Sequence, residues 1–194
     1  AFTSYDQSRS GAETEALGID LRLDLSAALV PVADHARSLA VLSEAETLAA
    51  TLGDERRLAR ALSLRSANLW HLGESDEAVT AGRRALALAE RLGDLDLQVM
   101  SHYSMGGALR TLGDHREATR YLGRNLTLLG GPRAFDTFGL PGLASVLTRG
   151  QLGWSLAELG DFEEALSVAE DALRIAEEAR HPYSLAHAHL GLGG

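Results

Sequence analysis

The chain has no cysteine, and all 18 of its basic residues are arginine. The first absence removes disulfides, thiolate zinc sites and cysteine nucleophiles, and it fits a reducing cytoplasm. The second removes a Walker A lysine and any Schiff-base mechanism. A GC-rich genome is a plainer source of arginine-only usage than a function. Proline is scarce, at four residues, and aromatics make up 5% of the chain. The longest apolar run, LSAALVPVA around 25–33, is less than half a membrane span and is broken by a proline. A basic stripe is also missing. With a net charge of −9, the chain is a poor binder of phosphate backbones, so no nucleic acid and no membrane are expected as partners.

What is present is a folded composition, 45% hydrophobic and 23% charged over 194 residues, enough for one domain or a short repeat array. No charged-then-apolar leader opens it, so no signal peptide is expected. The chain starts at Ala1 and stops at HLGLGG inside a helical pattern. It is therefore expected to be a piece of a longer protein.

Three stretches read almost alike: LGESDEA at 72–78, LGDHREA at 112–118 and LGDFEEA at 159–165. Their glycines, Gly73, Gly113 and Gly160, are 40 and 47 residues apart, and Ala33 stands 40 before the first in a degenerate copy, VADHARS. Fixed-period self-similarity signals a repeat architecture. Seven residues before each mark come the small residues Ser26, Ser66, Gly106 and Gly153; four before come Leu29, Leu69, Leu109 and Leu156. Five after come Ser38, Ala78, Ala118 and Ala165. Small residues let helix backbones approach while leucines fill the groove between them. Each unit is thus predicted as a helix, a tight turn at LG and a second antiparallel helix. LGD at 52–54 and 92–94 marks the turn between units.

This pattern resembles the tetratricopeptide repeat (TPR). The small–leucine–glycine–alanine signature falls on Gly106, Leu109, Gly113 and Ala118, and on Gly153, Leu156, Gly160 and Ala165. The first two units depart from it: Ser26 and Ser66 replace a glycine, and Ala33 replaces the turn glycine. The family's aromatic after the turn survives only as Phe162. The resemblance implies an all-α right-handed superhelix of antiparallel helix hairpins: four pairs plus one helix, with helices about a turn longer than usual. The expected organisation is a tail at 1–10, then units at about 11–53, 54–93, 94–133 and 141–181, a partial unit at 182–194 and an inserted loop at 131–142. Several phrases, among them DERRLARALSLRSANLWHLGE and HPYSLAHAHLGLG, further resemble the C-terminal TPR region of bacterial signalling proteins that carry adenylate/guanylate cyclase and AAA ATPase domains.

The period slips between Asn125 and Arg149, where glycine and proline flank Phe135 and Phe138. Two readings stand. The loop is a longer connector whose phenylalanines cover a helix end, or it folds over the groove and touches a ligand. Asn125 replaces a packing alanine, and its amide is expected to tie the helix to this loop through Arg133 or a backbone carbonyl.

Catalytic chemistry finds little support. His35 and His115 hold equivalent positions after the turn and read as packing residues. His187 and His189 lie about 200° apart on a helix and cannot chelate one ion together. GWSLA at 153–157 lies mid-helix, whereas a nucleophile elbow needs a strand-to-helix turn. The acidic run after Gly160 reads as a solvated helix face, with a basic-partner site as the alternative. No catalytic residue, cofactor or metal site is expected.

The resemblance places ligand contacts on the side of each first helix opposite its packed leucines. Carried onto this chain, that register selects Arg60 and Trp70, then Tyr103 and Arg110, then Gln151 and Trp154. An aromatic with an arginine suits an extended peptide or an acidic ligand, although Trp70 and Trp154 also suit plain packing. The family's lysine–asparagine clamp is absent, since the chain has no lysine. The expected function is a cytoplasmic interaction and regulatory module of bacterial signal transduction. It would bind a protein or peptide, or neighbouring domains of its parent chain, with a homodimer as a further option. The alternatives are a sensor for a small molecule or peptide signal, and an oligomerising scaffold.

Overall fold

A computed structural model describes residues 2–193, with side chains from residue 13 onward except that of Pro31. Among the described residues there are nine α-helices and no strand: α1 (Phe2–Leu29), α2 (His35–Leu52), α3 (Glu55–Leu72), α4 (Ser75–Leu92), α5 (Leu95–Thr111), α6 (His115–Leu128), α7 (Ala144–Leu159), α8 (Phe162–Ala179) and α9 (Pro182–Leu192). Short 3-10 turns occupy Val30–Val32 and Gly131–Phe135. Helix α1 begins ahead of the boundary expected at residue 11, because no proline interrupts 2–10.

The repeated LG phrase is a helix stop. Gly73 takes φ +84°, and its N–H returns to the carbonyls of Leu69 and Trp70. This left-handed residue caps the helix, and glycine adopts it without a Cβ penalty. The aspartate that follows in LGD starts the next helix. Asp54 accepts from Arg57 N (3.0 Å), Asp94 from Leu97 N (3.2 Å) and Asp114 from Glu117 N (3.2 Å). Each carboxylate satisfies a backbone donor that the helix leaves unpaired. In the degenerate first copy Ala33 is forced into the same left-handed conformation, at φ +57°.

The small positions twelve residues apart face each other within hairpins. The Ser26 and Ser38 hydroxyls share a 2.7 Å hydrogen bond. Ser66 Oγ donates to the Ala78 carbonyl at 2.8 Å. At Gly106 an added Cβ would lie 2.4 Å from Leu122 Cδ2.

The chain divides into two compact units at Gly93–Asp94. In the first, α1 pairs with α2 and α3 with α4, and α2 packs on α3. Its core is Ile19, Leu23, Leu42, Ala45, Ala49 and Ala61. Arg57 closes the same unit, with its guanidinium forked onto Asp20 of α1 (2.9 and 2.7 Å) and also bonded to Asp54 (2.5 Å).

In the second unit α5 pairs with α6 and α7 with α8, while α9 packs on both α7 and α8. One core cluster joins Leu143, Val146, Ala172, Ile175, Ala176 and Ala188; another joins Val99, Leu129 and Ala144. The slipped period has a structural source here. Helix α6 has 14 residues where α2, α4 and α8 have 18, and the chain then runs through a connector to α7. Phe138 packs against the Val99 cluster, as a connector phenylalanine covering a helix end would, whereas Phe135 is 40% exposed. The connector's end is fixed to α9 by Leu143 N, which donates to Ser184 Oγ at 2.9 Å.

Asn125 corrects one expectation. Its Nδ2 donates to Thr148 Oγ1 of α7 at 3.1 Å, both side chains being fully buried, so the amide ties α6 to α7 rather than to Arg133 or a carbonyl. Helix α7 is enclosed by α5, α6, α8 and α9, so a side chain on its α6 side is nearer to Asn125 than the connector is.

Candidate ligand-binding face

Helices α5, α7 and α9 are the first helices of successive hairpin units, and α7 packs between the other two. Four of the six residues selected by register fall on this layer: Tyr103 and Arg110 on α5, Gln151 and Trp154 on α7. The Arg110 guanidinium lies 5.1 Å from the centroid of the Trp154 ring, a cation–π geometry. The same ring stands 6.0 Å from the imidazole of His187 on α9, tilted by 39°. His187 comes this close because residue 150 is glycine: a Cβ there would lie 2.5 Å from its Cε1.

The polar atoms of this cluster are unusually poor in partners. Gln151 is 2% exposed, and neither its Oε1 nor its Nε2 makes a hydrogen bond within the chain. Tyr103 is near enough for the Gln151 amide to affect its hydroxyl, without the geometry of a formed bond. Arg110 Nε and His187 Nδ1 are also buried without an acceptor or donor. Buried polar groups are ordinarily paired, and each orphan lowers stability. Burial pushes the Tyr103 hydroxyl up to about 12, against the opposing pull of Gln151 and Arg110, so it remains a neutral donor. Burial holds His187 below the ordinary histidine range, as a neutral ring.

The other two selected residues lie in the first unit. Arg60 Nη2 donates to Asp24 at 2.8 Å on the surface, so its charge is already answered. Trp70 stacks on His71 (4.8 Å between centroids), and His71 in turn on His35 (5.7 Å). His35 Nδ1 donates to Asn68 Oδ1 at 3.1 Å, because the Asn68 Nδ2 is spent on the Leu64 carbonyl. His35 thus packs and bonds at the turn, as its repeat position implied.

His187 is the residue that sequence reasoning passed over for this face. Its register was available: it lies 40 residues after Leu147, in line with Arg60 and Met100 of earlier units.

The described residues contain no group of three or more His, Cys, Asp or Glu side chains able to hold a metal ion. None of their helices is long and apolar enough to cross a membrane. The architecture is that of a helix-hairpin repeat protein. More narrowly, residues 57–129 and 146–180 match models of the tetratricopeptide repeat, and the chain carries repeats of that kind.

Solved structures agree with the fold. A Rap protein complexed with Competence and Sporulation Factor superposes with a TM-score of 0.76 at 17% identity, over 91% of this chain and 49% of the Rap chain. Apo RapI gives 0.74 at 16% identity, over 93% of this chain and 64% of its own. A TPR-like protein from Chlorobium tepidum gives 0.62 at 18% identity, over 78% and 98%. The chain therefore spans about half to two thirds of the Rap proteins it resembles. No curated protein matches it in sequence. Repeats of this kind are generally interaction scaffolds rather than catalysts.

Proposed function

We propose that this chain is a regulatory interaction module that binds a protein or peptide across the α5–α7–α9 face of its second unit. The observation that carries this reading is the buried amide of Gln151, with both polar atoms unpartnered, on a face that also carries the partly exposed rings of Tyr103 and Trp154. Aromatic rings beside an arginine are the composition of a binding hot spot. The complex of one Rap neighbour with Competence and Sporulation Factor supports the idea that such a repeat array can hold a signalling factor. Occupancy would act by population shift, favouring whichever arrangement of the parent protein leaves the face filled. The resemblance to TPR regions of cyclase–ATPase signalling proteins supports neighbouring domains of the parent chain as a further source of the partner. A cytoplasmic setting fits the lack of cysteine.

The test is affinity capture from native lysate with the wild-type chain beside an Arg110→Ala/Trp154→Ala variant, each shown to be helical by circular dichroism. A partner held by the wild type and lost by the folded variant is the expected result. A partner held equally by both would remove the α5–α7–α9 face from the account.

A further inference from the structure

The second helices of the second unit carry opposite charges on their exposed sides. On α6, Arg116, Arg120 and Arg124 stand four residues apart and form one exposed row. Arg120 is bonded to Glu117 and lies 4.3 Å over the Tyr121 ring, while Arg116 and Arg124 make no ion pair among the described residues. On α8, Glu163, Glu170 and Glu177 stand seven residues apart, about two turns each, and form an exposed row that is also without ion pairs among the described residues. Phe162 and Leu166, both exposed, border the acidic row.

The two helices run in the same direction. Asn125 of α6 donates to Thr148 of α7, and Leu129 clusters with Ala144, so α6 is antiparallel to α7. Helix α8 turns back along α7 after Gly160. Measured from the turn glycines Gly113 and Gly160, Arg116 and Glu163 hold equivalent positions, and Arg124 is level with Asp171, the neighbour of Glu170.

We infer that this face joins two copies of the chain, with α6 of each copy lying on α8 of the other. A two-fold axis between the two helices and parallel to them makes this exchange, and one rotation matches both rows. Arg116 of each copy then faces Glu163 of the other, and Arg124 faces Glu170. A two-fold axis across the helices would instead set arginine on arginine. Within one chain no ion pair links α6 to α8 among the described residues, so both rows are available to a second copy. The charges fix register and choice of partner, and Phe162 and Leu166 add apolar contact at the border. The face is small. Helix α6 spans about 21 Å at 1.5 Å per residue, and two helices about 10 Å wide make a face of roughly 20 by 20 Å. That is below the ~800 Å² per partner of a standard interface, so the dimer is reversible. It forms at about 10 μM and above and dissociates at the dilution of a lysate. It is independent of the α5–α7–α9 face, and it gives the acidic run after Gly160 a basic partner.

The experiment is sedimentation velocity of the whole chain from about 5 to 500 μM. At about 150 mM salt, the repulsion between copies of net charge −9 is screened beyond roughly 8 Å, so contact pairs decide the outcome. Four samples are compared: wild type, Arg116→Glu/Arg124→Glu, Glu163→Arg/Glu170→Arg, and an equal mixture of the two variants. All four positions are exposed, and circular dichroism checks that each variant is helical. The wild-type sedimentation coefficient is expected to rise with concentration toward that of a dimer. Each variant alone, with two rows of like charge, should associate at least about tenfold more weakly. The mixture should dimerise as the wild type does, because the reversed rows match each other and the unchanged rows still match. A variant that had merely lost its fold could not be rescued in this way. A wild type that stays monomeric throughout, variants that self-associate as strongly as wild type, or a mixture that stays monomeric would each overturn the inference.

Discussion

Among the described residues, Ala33, Phe138 and Arg180 are the non-glycine residues with positive φ, and two of them, Ala33 and Arg180, end helical segments where glycine stands elsewhere in the repeat. A Cβ in that conformation costs about 1–2 kcal/mol, and glycine's greater freedom in the unfolded chain takes back about 0.5–1 kcal/mol. Ala33→Gly is therefore expected to raise stability by up to about 1 kcal/mol in urea denaturation. Gly106 presents the opposite case. Leu122, which an added methyl would strike, is itself fully buried and has nowhere to swing. Gly106→Ala should lower stability by about 1–3 kcal/mol, and a second change, Leu122→Ala, should cost less in that background than alone. Gly123→Ala serves as the control. Nothing lies within 4 Å of its added methyl, so the better helix former should add about 0.5–1 kcal/mol. Small residues and turn glycines were legible in the sequence because their chemistry is tied to a fixed spacing. The Asn125–Thr148 bond was not, since two polar side chains on helices separated by an irregular connector share no register.

At the scale of helices, the hairpins follow from the repeat period, while the joints between them are held by contacts that no periodicity announces. The fork of Arg57 onto Asp20 joins α3 to α1 within the first unit. Its hydrogen bonds hold the Asp20 carboxyl below the ordinary aspartate range. Burial tends to raise Asp54, but the backbone and guanidinium bonds of Arg57 outweigh it and leave that carboxyl low as well. The sign follows directly. A carboxyl depressed in the folded state lends stability that is complete above about pH 4, the unfolded value, and that disappears as pH falls through the folded value. An Arg57→Gln variant should be less stable than wild type at pH 7, and the gap should narrow below about pH 4. A gap of constant width across that range would show that the pair carries no charge-dependent stability. The shortening of α6 escaped the sequence for a different reason. Its apolar spacing continues into LTLLG, and only the positions of Val99, Leu129 and Ala144 show why the chain turns there to build a second cluster.

Across the whole chain, His71, His102 and His187 are all held below the ordinary histidine value, each chiefly by burial. His102 is the extreme case: 4% exposed, facing the Tyr121 ring at 5.8 Å, with Arg124 and Arg120 adding to the effect, and lowered to about 4. Such groups stay neutral in the folded protein while the unfolded chain binds protons below about pH 6.5. Stability should therefore be complete above about pH 6.5 and fall progressively toward pH 4, with His102 alone accounting for on the order of 3 kcal/mol. His102→Gln should flatten part of that slope in denaturation curves taken at pH 7 and pH 5; an unchanged slope would contradict the assignment.

The repeat class was legible because every unit repeats the same solution to helix packing. The candidate face was legible only by register, which named Tyr103, Arg110, Gln151 and Trp154 but could not tell them from Arg60, whose charge Asp24 already answers. That distinction depends on which polar atoms remain unpaired after folding, and spacing does not encode it. Whether the partner lies on α5, α7 and α9 is read most plainly by site-specific photocrosslinking. A benzophenone amino acid replaces Tyr103 in one sample and the exposed Ser167 of α8 in another, and both are irradiated in native lysate. A discrete adduct is expected from position 103 and none from position 167. The reverse pattern, an adduct from α8 and none from α5, would contradict it.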